Sequence, residues 1–172
     1  MQTYLTERLD HINWLTHTFT WMDSKRLFNQ LNECKVISKA IDGAKAWSFH
    51  PAVDMWRGHK PALCRYTYIV AHTLQERSLL YDDSIMMNMI NIGNEPGRWP
   101  SWFLCDDFFN AHRSNLIRKN ERHYCNFWPN VIPSDVYIWP KLDDNRWILR
   151  RKQVGAKKYL NPLLFNPYVD DL

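Results

Sequence analysis

The stretch that most restricts the fold of this chain is residues 22–41, MDSKRLFNQLNECKVISKAI. Its apolar side chains recur at spacings of three and four residues, which is the repeat of one face of an α-helix. The side chains of this stripe are Leu27, Leu31, Cys34, Ile37 and Ile41. Asp23 or Ser24 is suited to cap the first turn. Because an apolar face has to be buried, the sequence predicts a core built around this helix.

Other segments predict further helices, so the fold class is predicted to be mainly α, in one compact domain over residues 1–172. Pro51 is placed for the first turn of a short helix. Residues 61–77 carry one apolar face, and residues 81–91 predict another short helix. Residues 106–120 open with acidic side chains that suit a helix start and predict a helix of about four turns. The residues of the apolar face in 61–77 are Leu63, Thr67, Val70 and Leu74.

The part of the chain near the C-terminus is rich in aromatic residues and proline. From about residue 127, the segment NFWPNVIPSDVYIWPKL predicts an extended aromatic loop. NRWILRR, residues 145–151, predicts a short strand or one arm of a hairpin. Residues 141–172 form a basic C-terminal extension.

Composition excludes several classes of protein. No apolar run is long enough for a signal peptide or a membrane span, so we expect a soluble, cytoplasmic protein with no membrane partner. Cys34, Cys64, Cys105 and Cys125 are widely spaced, which argues against a zinc site and a disulfide framework. Only five glycines occur, and no phosphate-binding loop pattern is found. No metal and no cofactor are expected.

Positive charge is concentrated in one part of the chain. Residues 113–158 carry eleven Lys and Arg against four Asp and Glu, whereas residues 1–100 carry eleven against ten. A basic strip of this kind attracts polyanions, and nearby aromatic rings allow bases to stack. A solvated helix face is the alternative interpretation.

Arg26, Gln30 and Glu33 form a second group on the helix of residues 22–41. At 100° per residue they lie within about 60° of one another, on the flank of the apolar stripe. A carboxylate at the edge of a core is partly desolvated, which suits it to proton transfer. A surface network of these three side chains is the alternative.

The helix of residues 106–120 mixes apolar and cationic positions. Phe109, Leu116 and Ile117 define its inward arc, and Arg113 projects from the middle of that arc. Such a guanidinium requires a carboxylate, a phosphate or a wet cleft. His112 is either a hydrogen-bonded core residue or a functional one. The side chains predicted to face outward are Asn115, Arg118, Lys119 and Arg122.

Five stretches, in this order, resemble the pyrimidine-dimer DNA glycosylase (endonuclease V) family, in its phage and bacterial subgroup. They are MQTYL, MDSKRLFNQLNE, SFHPAVDMWRGHKPAL, HRSNLIRKNERHY and VYIWP. The resemblance spans roughly residues 1–140. It implies a compact, mainly helical DNA repair enzyme that is both a glycosylase and an abasic-site lyase and needs no metal.

The resemblance also implies the site. In the family the N-terminal amine attacks the sugar and a glutamate of the first long helix assists. Alignment on the Arg26–Leu27 pair places that glutamate at Glu33. Gln2 is too large to favour removal of the initiator, so the amine would be that of Met1. The predicted catalytic residues are therefore Met1, Gln2 and Glu33.

The implied partner is double-stranded DNA, bound by a monomer. We expect Met1 and Glu33 to face one cleft, with His112 and Arg113 lining or supporting it. A non-catalytic nucleic-acid-binding or phage–host interaction protein on the same scaffold is the alternative, and an enzyme acting on free nucleotides is a third possibility. The residues predicted to contact DNA are Arg26, Gln30, His50, Arg57, His112, Arg113, Ser114, Asn115, Arg118 and Lys119.

Overall fold

The computed structural model describes residues 11–79, 97–144 and 146–165. These residues fall into two units. The first unit contains residues 11–79 and 97–100, and the second contains residues 101–144 and 146–165. That the whole chain is one domain stays a prediction, and the short helix predicted over residues 81–91 lies outside the described residues.

The described part of the first unit is helical. Its helices are α1 (His11–Trp21), α2 (Ser24–Ile41), α3 (Pro51–Trp56) and α4 (Lys60–Glu76). Helix α4 packs against α1 and α2, and α2 also packs against α3. Pro51 is the first residue of α3, as predicted, where its missing N–H has no intrahelical partner to lose.

Helix α2 confirms the prediction made from its apolar stripe. Asp23 is the N-cap, and its side chain accepts a hydrogen bond from the backbone N–H of Arg26 at 3.0 Å. Four stripe residues are buried and Ile41 is half-buried. Gln30 and Ala40 are buried as well, so the buried face is wider than the stripe. Two neighbouring helices explain this width, because each covers a different part of the α2 surface.

Helix α4 is buried over a wide arc. The predicted face of Leu63, Thr67, Val70 and Leu74 is buried, as are Tyr66 and several residues beside it. The Thr67 hydroxyl donates to the Leu63 carbonyl at 2.7 Å. A buried hydroxyl therefore has a partner within its own helix, which removes most of the penalty of leaving water.

Arg77 follows α4 and binds the end of α1. Its guanidinium donates to the carbonyl oxygens of Phe19, Thr20 and Met22 at 2.9, 2.7 and 2.7 Å. The last carbonyls of a helix have no intrahelical partner and carry partial negative charge. One side chain thus satisfies the end of α1 and ties it to the end of α4.

The second unit combines helices with a sheet. A 3₁₀ turn (Ser101–Leu104) leads into α5 (Asp106–Lys119) and α6 (Glu121–Tyr124). Strands β1 (Val136–Asp143), β2 (Arg146–Gln153) and β3 (Leu160–Phe165) form an antiparallel sheet in that order. The described residues are mainly helical, as predicted, but the sheet was not part of the predicted fold class.

Strand β1 corrects the predicted loop, whereas NRWILRR is a strand as expected. The segment read as an extended loop becomes a strand from Val136 onward. Pro140 favoured a loop because proline cannot donate to a sheet ladder. The carbonyls of Val136 and Ile138 accept hydrogen bonds from side chains of α5, so they point away from β2. Backbone groups alternate in direction along a strand, and those of Pro140 therefore point away from β2 as well. A missing N–H there removes no ladder bond, which is why proline is tolerated on an outer strand.

Side chains of α5 attach this helix to β1 and to the segment before it. The His112 Nε2–H donates to the Ile138 carbonyl at 3.2 Å, and Asn115 Nδ2 donates to the Val136 carbonyl at 3.0 Å. Ser114 donates its hydroxyl to the Ile132 carbonyl. The prediction that Asn115 faces outward is wrong, because its side chain is fully buried. Carbonyls of β1 that point away from β2 need hydrogen-bond donors, so polar residues are favourable on the face of α5 that packs against this strand.

Burial of His112 predicts a pH-dependent stability. Burial lowers the pKa of the His112 ring from 6.5 to about 3. Between these pH values the ring is protonated in the unfolded chain but neutral in the folded chain. The free energy of unfolding therefore falls as pH falls from 6.5 towards 3. His112→Gln keeps a donor for Ile138 but cannot titrate. When the pH is lowered from 6.5 to 5, the free energy of unfolding of this variant should fall by up to about 2 kcal/mol less than that of the parent. Urea unfolding at the two pH values measures the difference.

The matched control is His72→Gln, since His72 lies on α4 with half of its side chain exposed. Because it makes the same change of side chain outside the core, a change of pH dependence that both variants share is not due to the burial of His112. A His112→Gln protein with an unchanged dependence would contradict the account of His112.

Candidate functional site

The three residues singled out on α2 lie side by side along one flank of the helix. Arg26 is half-buried, and its guanidinium pairs with Asp23 at 3.4 Å. Gln30 is almost fully buried. Glu33 is half-buried, and one of its carboxylate oxygens, Oε2, is shielded from solvent. The flank therefore presents one amide and one carboxylate at the border between core and surface, as its angular position predicted.

Two of the predicted catalytic residues cannot be placed. Met1 and Gln2 lie outside the described residues, so the structure gives no distance between the Met1 amine and Glu33. The prediction that the two groups face one cleft therefore stays a prediction.

His50 and Arg57, both predicted to contact DNA, have structural partners at the ends of α3. The His50 Nδ1 accepts a hydrogen bond from the backbone N–H of Ala52 at 3.1 Å, so His50 is the N-cap of α3. Arg57 donates to the Ser48 carbonyl at 2.8 Å and pairs with Asp54 at 3.4 Å. About half of the Arg57 side chain remains exposed, so a phosphate contact stays open to it.

The loop between α2 and α3, residues 42–50, carries a feature that the sequence reasoning missed. Phe49 is 95% exposed and Trp47 is 41% exposed. The Trp47 ring stacks on the His50 ring, with centroids 4.4 Å apart. We name residues 42–50 the aromatic loop. Trp47 and Phe49 two residues apart, outside any periodic pattern, were the signal available in the sequence.

On α5, His112 and Arg113 differ in accessibility. The His112 ring is fully buried among aromatic rings, 4.4 Å from that of Phe108 and 5.3 Å from that of Trp139. Its neutral, buried ring is a core residue, which was one of the two alternatives. Arg113 is half-buried; its Nη1 donates to Asn110 Oδ1 at 3.1 Å and its guanidinium lies 6.0 Å from the Trp128 ring.

Burial also acts on the charge of Arg113, lowering the pKa of its guanidinium. Its Nε is buried and has no hydrogen-bond partner among the described residues. Arg113 thus points partly inward, as the helical angles predicted. Arg113 and Glu33 belong to different units, so their expected meeting at one cleft stays a prediction.

Cations and tyrosines form a cluster on the second unit. Arg118 and Lys119 are exposed, as predicted, and Lys119 Nζ lies 5.5 Å from the centre of the Tyr137 ring. Arg150 and Lys152 of β2 lie 5.6 and 5.3 Å from the ring of Tyr159. Cation–ring contacts of this kind hold basic side chains in place beside aromatic faces. The sequence showed the charge of this segment, but only the strand pairing brings these side chains together.

An open hollow of about 540 Å³ lies in the second unit between α5 and the sheet. Asp107 and Arg151 contribute opposite charges to its wall. The Arg151 Nε already donates to the Asn161 carbonyl at 3.0 Å. The hollow therefore shows no charge preference that would identify a ligand.

Cys34 and Cys105 do not provide a nucleophile. Cys34, Cys64, Cys105 and Cys125 are all free. Burial raises the pKa of the Cys34 thiol to about 12 and that of Cys105 to about 11, so both stay protonated near neutral pH. Across the described ranges, no group of His, Cys, Asp and Glu could hold a metal ion. No helix in that part of the chain is long and apolar enough to cross a membrane.

Comparison with known proteins identifies one family. A family model described as pyrimidine dimer DNA glycosylase matches residues 1–88, which is half of the chain. This range contains α1 to α4 and ends well before residue 140, where we expected the resemblance to end. No curated protein and no solved structure matches the chain. The phage and bacterial subgroup stays a prediction.

The N-cap of α3 provides a test of the aromatic loop. His50→Ala removes the acceptor for the Ala52 N–H, and we expect it to lower the free energy of unfolding by about 1 kcal/mol. His50→Asn supplies another capping acceptor and should recover most of that loss. Urea unfolding of both variants measures the difference. Equal losses would show that the ring stack with Trp47, which asparagine lacks, is the more important contact.

Proposed function

Because the chain belongs to the pyrimidine dimer DNA glycosylase family, we propose that it removes damaged or modified pyrimidines from double-stranded DNA and then cleaves the abasic strand. The observation that carries this proposal is the range of the match. Residues 1–88 include both proposed reacting groups, the amine of Met1 and the carboxylate of Glu33. We further propose that the protein acts as a monomer and without a metal.

The proposed chemistry begins with the α-amino group of Met1. An α-amino group loses its proton about two pH units more readily than a lysine side chain, so part of it is a free nucleophile near neutral pH. Its lone pair attacks C1′ of the sugar, the bond from C1′ to the base breaks, and the base leaves with the bonding electrons. One proton of the attached nitrogen passes to the departing base, and the second moves to the ring oxygen as the C1′–O4′ bond breaks. The product is an imine that joins the chain covalently to the DNA.

Glu33 is proposed to serve both steps. Its carboxylate stabilises the positive charge that develops on the sugar as the base leaves, and it relays protons during the elimination that breaks the 3′ carbon–oxygen bond. The position of Glu33 supports this role. It lies on the flank of a helix, next to the face that is packed in the core, and one carboxylate oxygen is shielded from water, where electrostatic interactions are stronger.

DNA binding is proposed to use cations of both units. Arg26 lies on the same flank as Glu33, while Arg118 and Lys119 are exposed on α5. The cluster around Tyr137 and Tyr159 adds cations that suit phosphate oxygens and rings that suit unstacked bases.

Borohydride trapping tests the proposal directly. The protein is mixed with ultraviolet-irradiated or abasic duplex DNA, and the imine is reduced to a stable link. Tryptic cleavage after Arg8 releases residues 1–8, which contain no lysine. A DNA adduct on this peptide therefore identifies the α-amine. No adduct on either duplex would overturn the lyase mechanism and favour a non-catalytic DNA-binding protein.

Replacement of Glu33 separates a chemical role from a structural one. Glu33→Gln keeps the shape and much of the hydrogen bonding but removes proton transfer. We expect turnover to fall by about two to four orders of magnitude, with DNA affinity within a few-fold of the parent. Glu76→Gln, on the exposed side of α4, is the matched control. A folded Glu33→Gln protein with near-normal cleavage would remove Glu33 from the mechanism.

Two arginines of α5 are expected to differ in effect. Arg118→Ala removes an exposed cation, so DNA affinity should fall for all sequences and the slope of log K against log salt should decrease by about one. Arg113→Ala removes a half-buried guanidinium held by Asn110 and Trp128 and should slow cleavage far more than Arg118→Ala does. Salt titrations and cleavage assays of both variants test this, and equal losses of cleavage would contradict it.

A further inference from the structure

The aromatic loop exposes two large aromatic side chains to solvent. Phe49 is 95% exposed, and Trp47, two residues earlier, is 41% exposed. A single exposed apolar residue is common on protein surfaces. Two aromatic residues in one short loop are a better indication of a binding surface, because each could gain from burial against a partner.

The backbone of this loop adopts a conformation that its side chains do not favour. Trp47 has a φ of 64°, in the left-handed region that bulky residues rarely occupy. The conformation is retained by contacts on its C-terminal side. The His50 N–H donates to the Trp47 carbonyl at 2.7 Å, and the two rings stack. Strained backbone that is held in this way is concentrated at binding and catalytic sites.

Both neighbours of Phe49 are held in place. Ser48 accepts a hydrogen bond from the Arg57 guanidinium at 2.8 Å. His50 caps α3 through the N–H of Ala52 at 3.1 Å. The backbone is thus fixed on each side of Phe49 while its ring extends into solvent. Because the backbone is already ordered, burial of the ring by a partner costs only the conformational freedom of the Phe49 side chain.

Charge and position favour DNA as that partner. Asp42, in the loop, pairs with Lys60 at 2.6 Å, and Asp54, on α3, pairs with Arg57 at 3.4 Å. Lys45, in the loop itself, is exposed and adds positive charge. The loop also continues from α2, the helix that carries Glu33. Ile41 lies eight positions after Glu33, about 12 Å along the helix, which is the length of three to four base steps.

We propose that the ring of Phe49 inserts into the base stack of duplex DNA within a few base steps of the nucleotide on which the protein acts, and thereby kinks and opens the duplex. Apolar side chains inserted between base steps unstack them and bend the helix. Extrusion of a nucleotide is needed because the sugar carbon is inaccessible within an intact stack. This inference rests on the proposed function for its substrate, but it assigns a role to residues outside the reacting groups.

The test measures bending apart from chemistry. A short duplex carries a fluorescence donor and an acceptor at its two ends and a central tetrahydrofuran in place of one nucleotide, which cannot form an imine. Binding of the parent should increase energy transfer as the ends approach. Phe49→Ala should abolish the increase at saturating protein, and Phe49→Trp should restore it. Tyr68→Ala is the matched control, since Tyr68 is a 46% exposed aromatic residue of α4.

Cleavage assays complete the test. Phe49→Ala should slow cleavage of an abasic duplex roughly ten-fold or more, the worth of one stacking contact, while cleavage of a single-stranded abasic oligonucleotide stays within two-fold of the parent. Because Phe49 contributes almost nothing to the core, the melting temperature of the Phe49→Ala protein should match that of the parent. A Phe49→Ala protein that bends the duplex as the parent does would overturn the insertion.

The two proposals fail in different ways. A parent that traps no imine on any DNA would refute the lyase mechanism, yet the bending assay would still decide the role of Phe49. Bending by the parent that is lost in Phe49→Ala would then support insertion by a binding protein. A parent that binds the duplex without bending it would overturn the insertion even if cleavage were normal.

Discussion

The first unit depends on the burial of α4 between α1 and α2. A helix covered on two sides needs apolar residues over most of its circumference, and any polar residue there needs a partner. Thr67 and Thr73 meet this requirement by donating to carbonyls one turn earlier in the same helix. At the end of α4, Arg77 binds three carbonyls at the end of α1. The packing and these charge-assisted hydrogen bonds together fix the helices of this unit.

This arrangement determines what α2 presents to solvent. With Leu27, Leu31 and Cys34 buried, the rotation of α2 about its axis is set, and Glu33 has to lie at the border of the core. A functional carboxylate on a packed helix is positioned more accurately than one on a loop. The aromatic loop follows directly and gains its order from α3, through the His50 cap and the Arg57 hydrogen bond. Core packing and the candidate site are therefore parts of one arrangement.

Helical periodicity made much of this structure predictable, whereas pairing between distant segments did not. The stripe of α2, its Asp23 cap and the face of α4 follow from spacing within one segment. Asn115 was assigned outward because its helical angle lies away from the arc of Phe109, Leu116 and Ile117, and its burial depends on bonds to the carbonyls of Ala111 and Val136. Strand β1 was missed for the same reason, since Pro140 is acceptable only on the outer side of a sheet. The flank of α2 was predictable, but the exposure of Phe49 follows from loop geometry that no spacing encodes.

The attachment of α5 to β1 has a consequence for association between molecules. An outer strand normally leaves a row of backbone groups that can recruit a strand from another chain, the first step of many aggregation reactions. Along β1, His112 and Asn115 bind the carbonyls of Ile138 and Val136, and Pro140 offers no N–H. A second copy would find the carbonyls of Val136 and Ile138 already bonded and no donor at Pro140. The same polar side chains that join helix to sheet thus protect this border of the sheet from templated polymerisation.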